Sequence, residues 1–205
     1  MNKFNLVLSS SGFNDLKNEV SPEAVDLFKK ISKNKKVLIL ANAAPVGDGN
    51  YDARVNVQQN FLNIGAIKAD IVDISSDNIG KINDYDIVYG LGGNPQHLIE
   101  LTQKTELKKY LINFLKHGIY IGESAGSMIL SKNLKWVYDI KKGTKKKYDI
   151  VLDNYQGIGL TTHNIFPHFN KINPEIKQRI KDYEHENNLK ISPLTDSEFI
   201  LEYYQ

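Results

Sequence analysis

The chain has no cysteine. That excludes a cysteine nucleophile, a thiolate zinc site, an iron–sulfur cluster and any disulfide. It also suits a reducing compartment. Long apolar runs are missing as well, and no segment approaches the ~20 apolar residues that a membrane-spanning helix needs. The apolar stretch within Met1-Asn2-Lys3-Phe4-Asn5-Leu6-Val7-Leu8 is too short and too interrupted for a signal peptide. A cytoplasmic protein with no membrane partner is expected. Charge of one sign is lacking too: 26 Lys and Arg stand against 24 Asp and Glu, a formal net charge of +2. No broad basic excess points to a nucleic-acid partner. The one basic cluster, Lys141, Lys142, Lys145, Lys146 and Lys147, reads as a solvated loop. Neither a repeat nor a long linker interrupts the chain, so residues 1–205 are expected to form a single domain.

What is present is an alternation of short apolar runs with longer amphipathic stretches. Leu6-Val7-Leu8 reads as a first strand that ends in Ser9-Ser10-Ser11-Gly12. Pro22 to Ile31 reads as a helix, with Ser21 as N-cap and Pro22 at the first helical position. Val37 to Leu40 is a buried-type strand that runs into the loop Ala41 to Asn50. Tyr51 to Ile64 reads as a helix with Val55, Phe61 and Leu62 on or near one face. Strands follow at Ala69 to Ile74 and Tyr85 to Tyr89, the second ending in Gly90-Leu91-Gly92-Gly93-Asn94. Pro95 to Thr102 and Glu106 to His117 read as helices, and Ile119-Tyr120-Ile121 as a strand leading into Gly122. Beyond Leu130 the pattern weakens. Lys132 to Asp153 reads as a hairpin or loop, Gly157 to Thr162 as a strand, Pro174 to Asn187 as a helix and Phe199 to Tyr203 as a last strand. The β-α-β-α order implies an α/β fold, a mostly parallel sheet with helices on both faces. Ligands of such sheets sit at the carboxyl ends of strands, which points to the exits at 41–50, 90–94 and 122–126.

One exit carries Gly122-Glu123-Ser124-Ala125-Gly126, a G-x-S-x-G pattern between a strand and a short helix. A sharp strand–helix turn strains its central residue, and flanking glycines remove the Cβ atoms that would collide there. Ser124 then stands clear of the sheet, and the N–H of Ala125 faces a developing oxyanion. A serine hydroxyl needs a base to become a nucleophile. Of five histidines, His117 suits a helix C-terminus and His185 a solvated helix face, while His97 begins a helix near Gly92-Gly93-Asn94. His163 and His168 share one segment, Thr161 to Asn170, and pattern alone ranks His168 slightly first. A carboxylate must orient the imidazole. Asp139, Asp149, Asp153, Asp196 and Glu198 are all candidates.

Four stretches together resemble the dipeptidase E (aspartyl dipeptidase) family of serine peptidases: Ile87 to Asn94, Tyr120 to Ser127, Pro167-His168-Phe169, and the strand exit Leu6 to Ser11. The resemblance implies a flavodoxin-like three-layer sandwich related to class I glutaminase domains. It implies that Ser124 attacks a peptide carbonyl, that His168 is base and then acid, and that the N–H groups of Gly93 and Ala125 form the oxyanion hole. By position after the nucleophile, Asp139 matches the acidic member. Asn94, Glu123 and Arg179 fall where substrate would be bound, the substrate being a small peptide, with no cofactor and no metal. Two departures matter. Basic residues after the histidine read an N-terminal aspartate in the family's best-known members, whereas Asn170 to Arg179 offers Arg179, with Lys177. Glu123 stands where an aromatic is common, and a carboxylate there would repel an acidic substrate side chain or bind a substrate amine.

Other readings fit less of the sequence. An α/β-hydrolase esterase would share the order Ser124, Asp139, His168, but only 81 residues follow Ser124, which is short for its later strands. A non-catalytic binding protein on the same fold would be expected to lack Ser124 or His168. Without a cysteine, a glutamine amidotransferase is disfavoured. Gly90-Leu91-Gly92-Gly93 is not a dinucleotide fingerprint. Nothing in the sequence specifies self-association, and a homodimer stays open.

Overall fold

Val37-Leu38-Ile39-Leu40 is apolar at every position, and only a strand covered on both faces satisfies such a run. The computed structural model places it at the centre of the fold as β2 (Lys36–Leu40). The structure describes residues 4–13, 21–41, 43, 51–74, 78–144 and 151–204. Alternate side chains point to opposite faces of a strand. Val37 and Ile39 accordingly join one buried cluster, and Leu38 and Leu40 the other. The same division holds in β1 (Leu6–Ser9), where Val7 faces away from Leu6 and Leu8, and in β4 (Ile87–Gly90), where Val88 faces away from Ile87 and Tyr89.

With β3 (Lys68–Val72), β5 (Ile119–Glu123) and β8 (Phe199–Glu202), these strands form a six-stranded sheet in the order β3-β2-β4-β5-β1-β8. Five strands run parallel and β8 closes the edge antiparallel to β1. Helices α1 (Pro22–Ser32) and α2 (Tyr51–Asn63) cover one face through Ala24, Phe28, Val57 and Phe61. Helices α3 (Pro95–Lys104), α4 (Leu107–Phe114), α5 (Ala125–Met128), α6 (Lys135–Lys141) and α7 (Pro174–Asn187) contribute to the cluster on the other. A second, two-stranded pair joins β6 (Ile165–Phe166) to β7 (Ser192–Pro193) in parallel. This is the α/β sandwich expected from the element order.

The helix starts follow capping chemistry. Ser21 is extended, and its hydroxyl accepts from the N–H of Ala24 at 3.2 Å, with Pro22 next. Asn173 does the same for Ile176 at 2.9 Å ahead of Pro174. Three expectations change. Within Lys132 to Asp153 the structure has helix α6, because Trp136, Val137 and Ile140 repeat at helical spacing and are buried. Residues 157–162 form no strand; their N–H groups bond instead to the carbonyls of Ile129, Leu130, Ser131 and Lys132, the irregular segment after α5. On α2, Phe61 is buried as expected, but its buried companion is Val57 four residues earlier, while Val55 and Leu62 are exposed. Pro45, Gly47 and Gly49 of the second strand exit, the lysines at 145–147 and Asp149 lie outside the described residues. Among the described residues no helix is long and apolar enough to cross a membrane.

The order β4-β5-β1 is what builds the site. It sets three strand exits side by side, at Gly90, Glu123 and Ser9, on the carboxyl edge of the sheet.

Candidate active site

At the end of β5 the chain turns through Ser124 with φ 48° and ψ −110°, a conformation that costs a non-glycine residue roughly 1–3 kcal/mol. Backbone bonds hold it there. Ser124 N–H donates to the carbonyl of Ser9 at 3.0 Å, and the Ser124 carbonyl accepts from the N–H groups of Ser127 and Met128, each at 3.0 Å. The two flanking glycines are needed for contact rather than for freedom. A Cβ on Gly122 would lie 2.7 Å from backbone atoms of Ser127, and one on Gly126 2.1 Å from the Gly90 carbonyl oxygen. The turn therefore packs its helix directly onto β4 and β5.

Ser124 Oγ lies 3.1 Å from His168 Nε2. His168 follows β6 and adopts the left-handed conformation, φ 58° and ψ 36°. Its N–H donates to Ser10 Oγ at 2.8 Å, and its carbonyl accepts from Lys171 N–H at 2.9 Å. On the far side of the ring, Nδ1 lies 2.5 Å from Asp196 Oδ1. An ionised carboxylate only accepts, so Nδ1 carries the proton and Nε2 is left to accept from the Ser124 hydroxyl.

Asp196 is 7 % exposed and lies between β7 and β8. Burial resists its ionisation, but hydrogen bonds from His168, Lys171, Ser11 and Asn170 outweigh it and hold the carboxyl well below the usual carboxylate range. Those contacts are Ser11 Oγ to Oδ1 at 2.9 Å, Asn170 Nδ2 to Oδ2 at 3.1 Å and Lys171 Nζ to Oδ2 at 3.0 Å. Asn170 Oδ1 also accepts from the Asp196 N–H at 3.1 Å.

The exit of β1 thus touches all three residues in turn. The Ser9 carbonyl holds the Ser124 backbone, the Ser10 hydroxyl holds the His168 backbone, and the Ser11 hydroxyl holds the Asp196 carboxylate. Consecutive residues of a strand exit reach different neighbours because β1 sits between β5 and β8.

Across β5, Gly93 has φ 151°, and a Cβ there would lie 2.3 Å from the Ala43 carbonyl oxygen. Glycine lets this exit lie close against residue 43. Among the described residues, no carbonyl accepts from the N–H of Gly93 or of Ala125.

Other expected site residues sit elsewhere or do other work. Asp139 is not the carboxylate on His168. It lies on α6, where Lys135 Nζ approaches to 2.7 Å and Tyr183 Oη to 3.3 Å. Counting residues after the nucleophile chose it, whereas the carboxylate that meets His168 comes from the turn ahead of the last strand. Arg179 is turned toward α6: its guanidinium donates to the Ile140 and Lys142 carbonyls at 3.1 and 3.0 Å and to Glu175 at 2.7 Å. Asn94 Oδ1 caps α3 by accepting from Gln96 N–H at 3.0 Å. His163 Nδ1 lies 3.2 Å from Ser192 Oγ. Glu198 accepts from the N–H and hydroxyl of Thr195 at 2.6 and 2.8 Å, which closes the turn carrying Asp196. Glu123 is half-buried beside Ser124, and its Oε2 accepts from Tyr89 Oη at 2.6 Å. Among the described residues, no group of three or more His, Asp or Glu is arranged to hold a metal ion.

A serine, an imidazole and a carboxylate are thus gathered at the carboxyl edge of a mostly parallel α/β sheet, where such sheets bind their ligands. The sequence matches peptidase family S51 over residues 5–202, and the chain belongs to that family, the dipeptidase E family of serine-type peptidases. It is 29 % identical over 205 residues to the uncharacterised peptidase Lmo0363 of Listeria monocytogenes, covering 96 % of this chain and 93 % of that one. It is 26 % identical over 191 residues to the uncharacterised peptidase PM1590 of Pasteurella multocida, covering 87 % and 88 %. Its fold is similar to the crystal structure of a candidate peptidase E protein from Listeria monocytogenes, with a TM-score of 0.75, 24 % identity and coverage of 97 % and 93 %. It is also similar to that of a peptidase from an acI-B1 actinobacterium, with a TM-score of 0.62, 18 % identity and coverage of 85 % and 73 %.

Proposed function

We propose that this peptidase cleaves short peptides through an acyl-enzyme on Ser124. The observation that carries the reading is the line Ser124 Oγ, His168 Nε2, His168 Nδ1, Asp196 Oδ1, with gaps of 3.1 and 2.5 Å. In that reading the turn at Ser124 is a nucleophile elbow, and Asp196 takes the role that position in the chain had given to Asp139.

His168 Nε2 accepts the Ser124 proton as Oγ bonds to the scissile carbonyl carbon. The carbonyl oxygen becomes an oxyanion, stabilised by the N–H groups of Gly93 and Ala125; losing one such donor typically costs about 100- to 1000-fold in rate. Asp196 stabilises the imidazolium and keeps the ring in its tautomer. The imidazolium then gives its proton to the leaving amine, and the C–N bond breaks. Water enters, His168 takes its proton as the water oxygen bonds to the acyl carbon, and the C–Oγ bond then breaks, releasing the acid while Ser124 Oγ recovers the proton from His168.

The test is a fluorophosphonate probe with the adduct located by mass spectrometry. An adduct on Ser124 that vanishes in His168→Ala supports an activated serine. A folded protein that gives no adduct overturns the mechanism.

A further inference from the structure

Asp196 shares its two oxygens between two pairs of donors. Oδ1 faces His168 Nδ1 and Ser11 Oγ, and Oδ2 faces Asn170 Nδ2 at 3.1 Å and Lys171 Nζ at 3.0 Å. One tight turn, Phe169–Lys171, follows His168 and is closed by the bond from the Lys171 N–H to the His168 carbonyl. That turn brings an imidazole and an ammonium to the two oxygens of one carboxylate. The carboxylate side chain is 7 % exposed, whereas the Lys171 side chain is 54 % exposed. The other charged groups around the ring are held by different partners. Glu123 at the β5 exit accepts from Tyr89, and Glu198 in the turn of Asp196 accepts from Thr195. Lys177 of α7 lies over the Phe169 ring, 5.1 Å from its centre, and the β1 exit presents the uncharged Ser10 and Ser11.

While the imidazole is neutral, the charges of Asp196 and Lys171 balance. Protonation of His168 adds a second cation to a carboxylate that already holds one, and like charge opposes that step. Ser11 and Asn170 orient the carboxylate without adding charge, so the opposition comes from Lys171. We infer that Lys171 is a positioning residue acting through Asp196, and that its ammonium keeps His168 free to serve as base in more acid solution than the Asp196–His168 pair alone would allow. The inference rests on the proposed role of His168 as the base for Ser124.

The test follows the rate at which the fluorophosphonate labels Ser124 in the full-length protein, measured from about pH 5 to about pH 9. Labelling needs the neutral imidazole, so the rate falls on the acid side as His168 takes a proton. In Lys171→Gln that fall is expected to come about 0.5 to 1 pH unit higher, the scale of like-charge repulsion across one carboxylate with the ammonium half in water. On the acid limb the variant then labels about 3- to 10-fold more slowly than the wild type. On the neutral plateau the two rates are expected to agree within about threefold, because the imidazole is neutral in both. Lys171→Arg keeps the charge and is expected to keep the wild-type limb. Should Lys171→Gln not fold, Lys171→Met, which keeps the apolar stem, reads the same shift. A merely structural lysine would slow labelling equally at every pH. A limb that stays in place or moves to lower pH in the uncharged variant overturns the inference and leaves the serine mechanism standing. So does a limb that moves as far in Lys171→Arg as in Lys171→Gln. If the wild-type Ser124 takes no label, the mechanism fails and this inference with it.

Discussion

Ser11 Oγ donates to Asp196 Oδ1 at 2.9 Å, the same oxygen that faces His168 Nδ1 at 2.5 Å. A residue near the start of the chain thus aims a carboxylate near its end. Ser11→Ala removes one of the bonds that orient Asp196 and leaves the others. We expect kcat to fall roughly 10- to 100-fold with KM little changed, the scale of a hydrogen bond to a charged group. Steady-state kinetics on a cleaved peptide check it, and a change confined to KM would refute a positioning role.

Asp196→Asn keeps the shape and removes the charge that sets the imidazole tautomer. The expected loss in kcat is about 10⁴-fold, by analogy with the same change in another Ser-His-Asp site. Asp139→Asn is expected to leave kcat within about twofold, because its partners are Lys135 and Tyr183 on the helix surface. Comparable losses in both variants would return Asp139 to the site.

Acid should unfold the protein partly through Asp196. Its carboxyl is held below the ordinary value of 3.8, so the folded state binds its proton less readily than the unfolded state. The stabilisation is complete above the unfolded value and is lost as pH falls from there through the folded one. Urea midpoints measured downward from pH 5 should therefore decline below about pH 4, and decline less steeply in Asp196→Asn. Parallel declines in the two proteins would assign the acid sensitivity to other carboxylates.

Gly126→Ala should destabilise the fold itself. The new Cβ would lie 2.1 Å from the Gly90 carbonyl oxygen, a backbone atom that cannot step aside without moving β4. Overpacking of this kind costs about 1–3 kcal/mol or more. Thermal unfolding checks it; an unchanged Tm would mean that α5 does not sit against β4 as closely as described.

Phe61→Ala tests the other face of the sheet. Phe61 is fully buried, with its ring 4.6 Å from Phe13 and 5.3 Å from Tyr89. Truncation of a buried aromatic costs about 3–5 kcal/mol. Unfolding in urea checks it, and an unchanged midpoint would mean that Phe61 does not pack as described.

Much of this architecture was legible along the chain because its cause is local. Fully apolar runs of four or five residues mean strands covered on both faces, as Val37 to Leu40 became. Ser21 before Pro22 and Asn173 before Pro174 mark helix starts by their own hydrogen bonds. The glycines around Ser124 mark a turn packed against its neighbours. Helix α6 was harder to see, because it is one short helix of seven residues whose buried Trp136, Val137 and Ile140 lie in a lysine-rich stretch.

The carboxylate that meets His168 was not legible at all. Asp139, Asp153, Asp196 and Glu198 are the same kind of residue in similarly polar surroundings, and chain distance ranks them wrongly. Only the antiparallel docking of β8 beside β1 brings the turn at Asp196 against Ser11 and His168 while leaving Asp139 on an outer helix. The sequence by itself determined most of the elements up to Leu130, the turn at the serine and the pair of candidate histidines, because capping, periodicity and glycine contacts act over a few residues. Which side chains meet was decided by tertiary structure alone, because strand order joins residues 185 positions apart and no local preference records it.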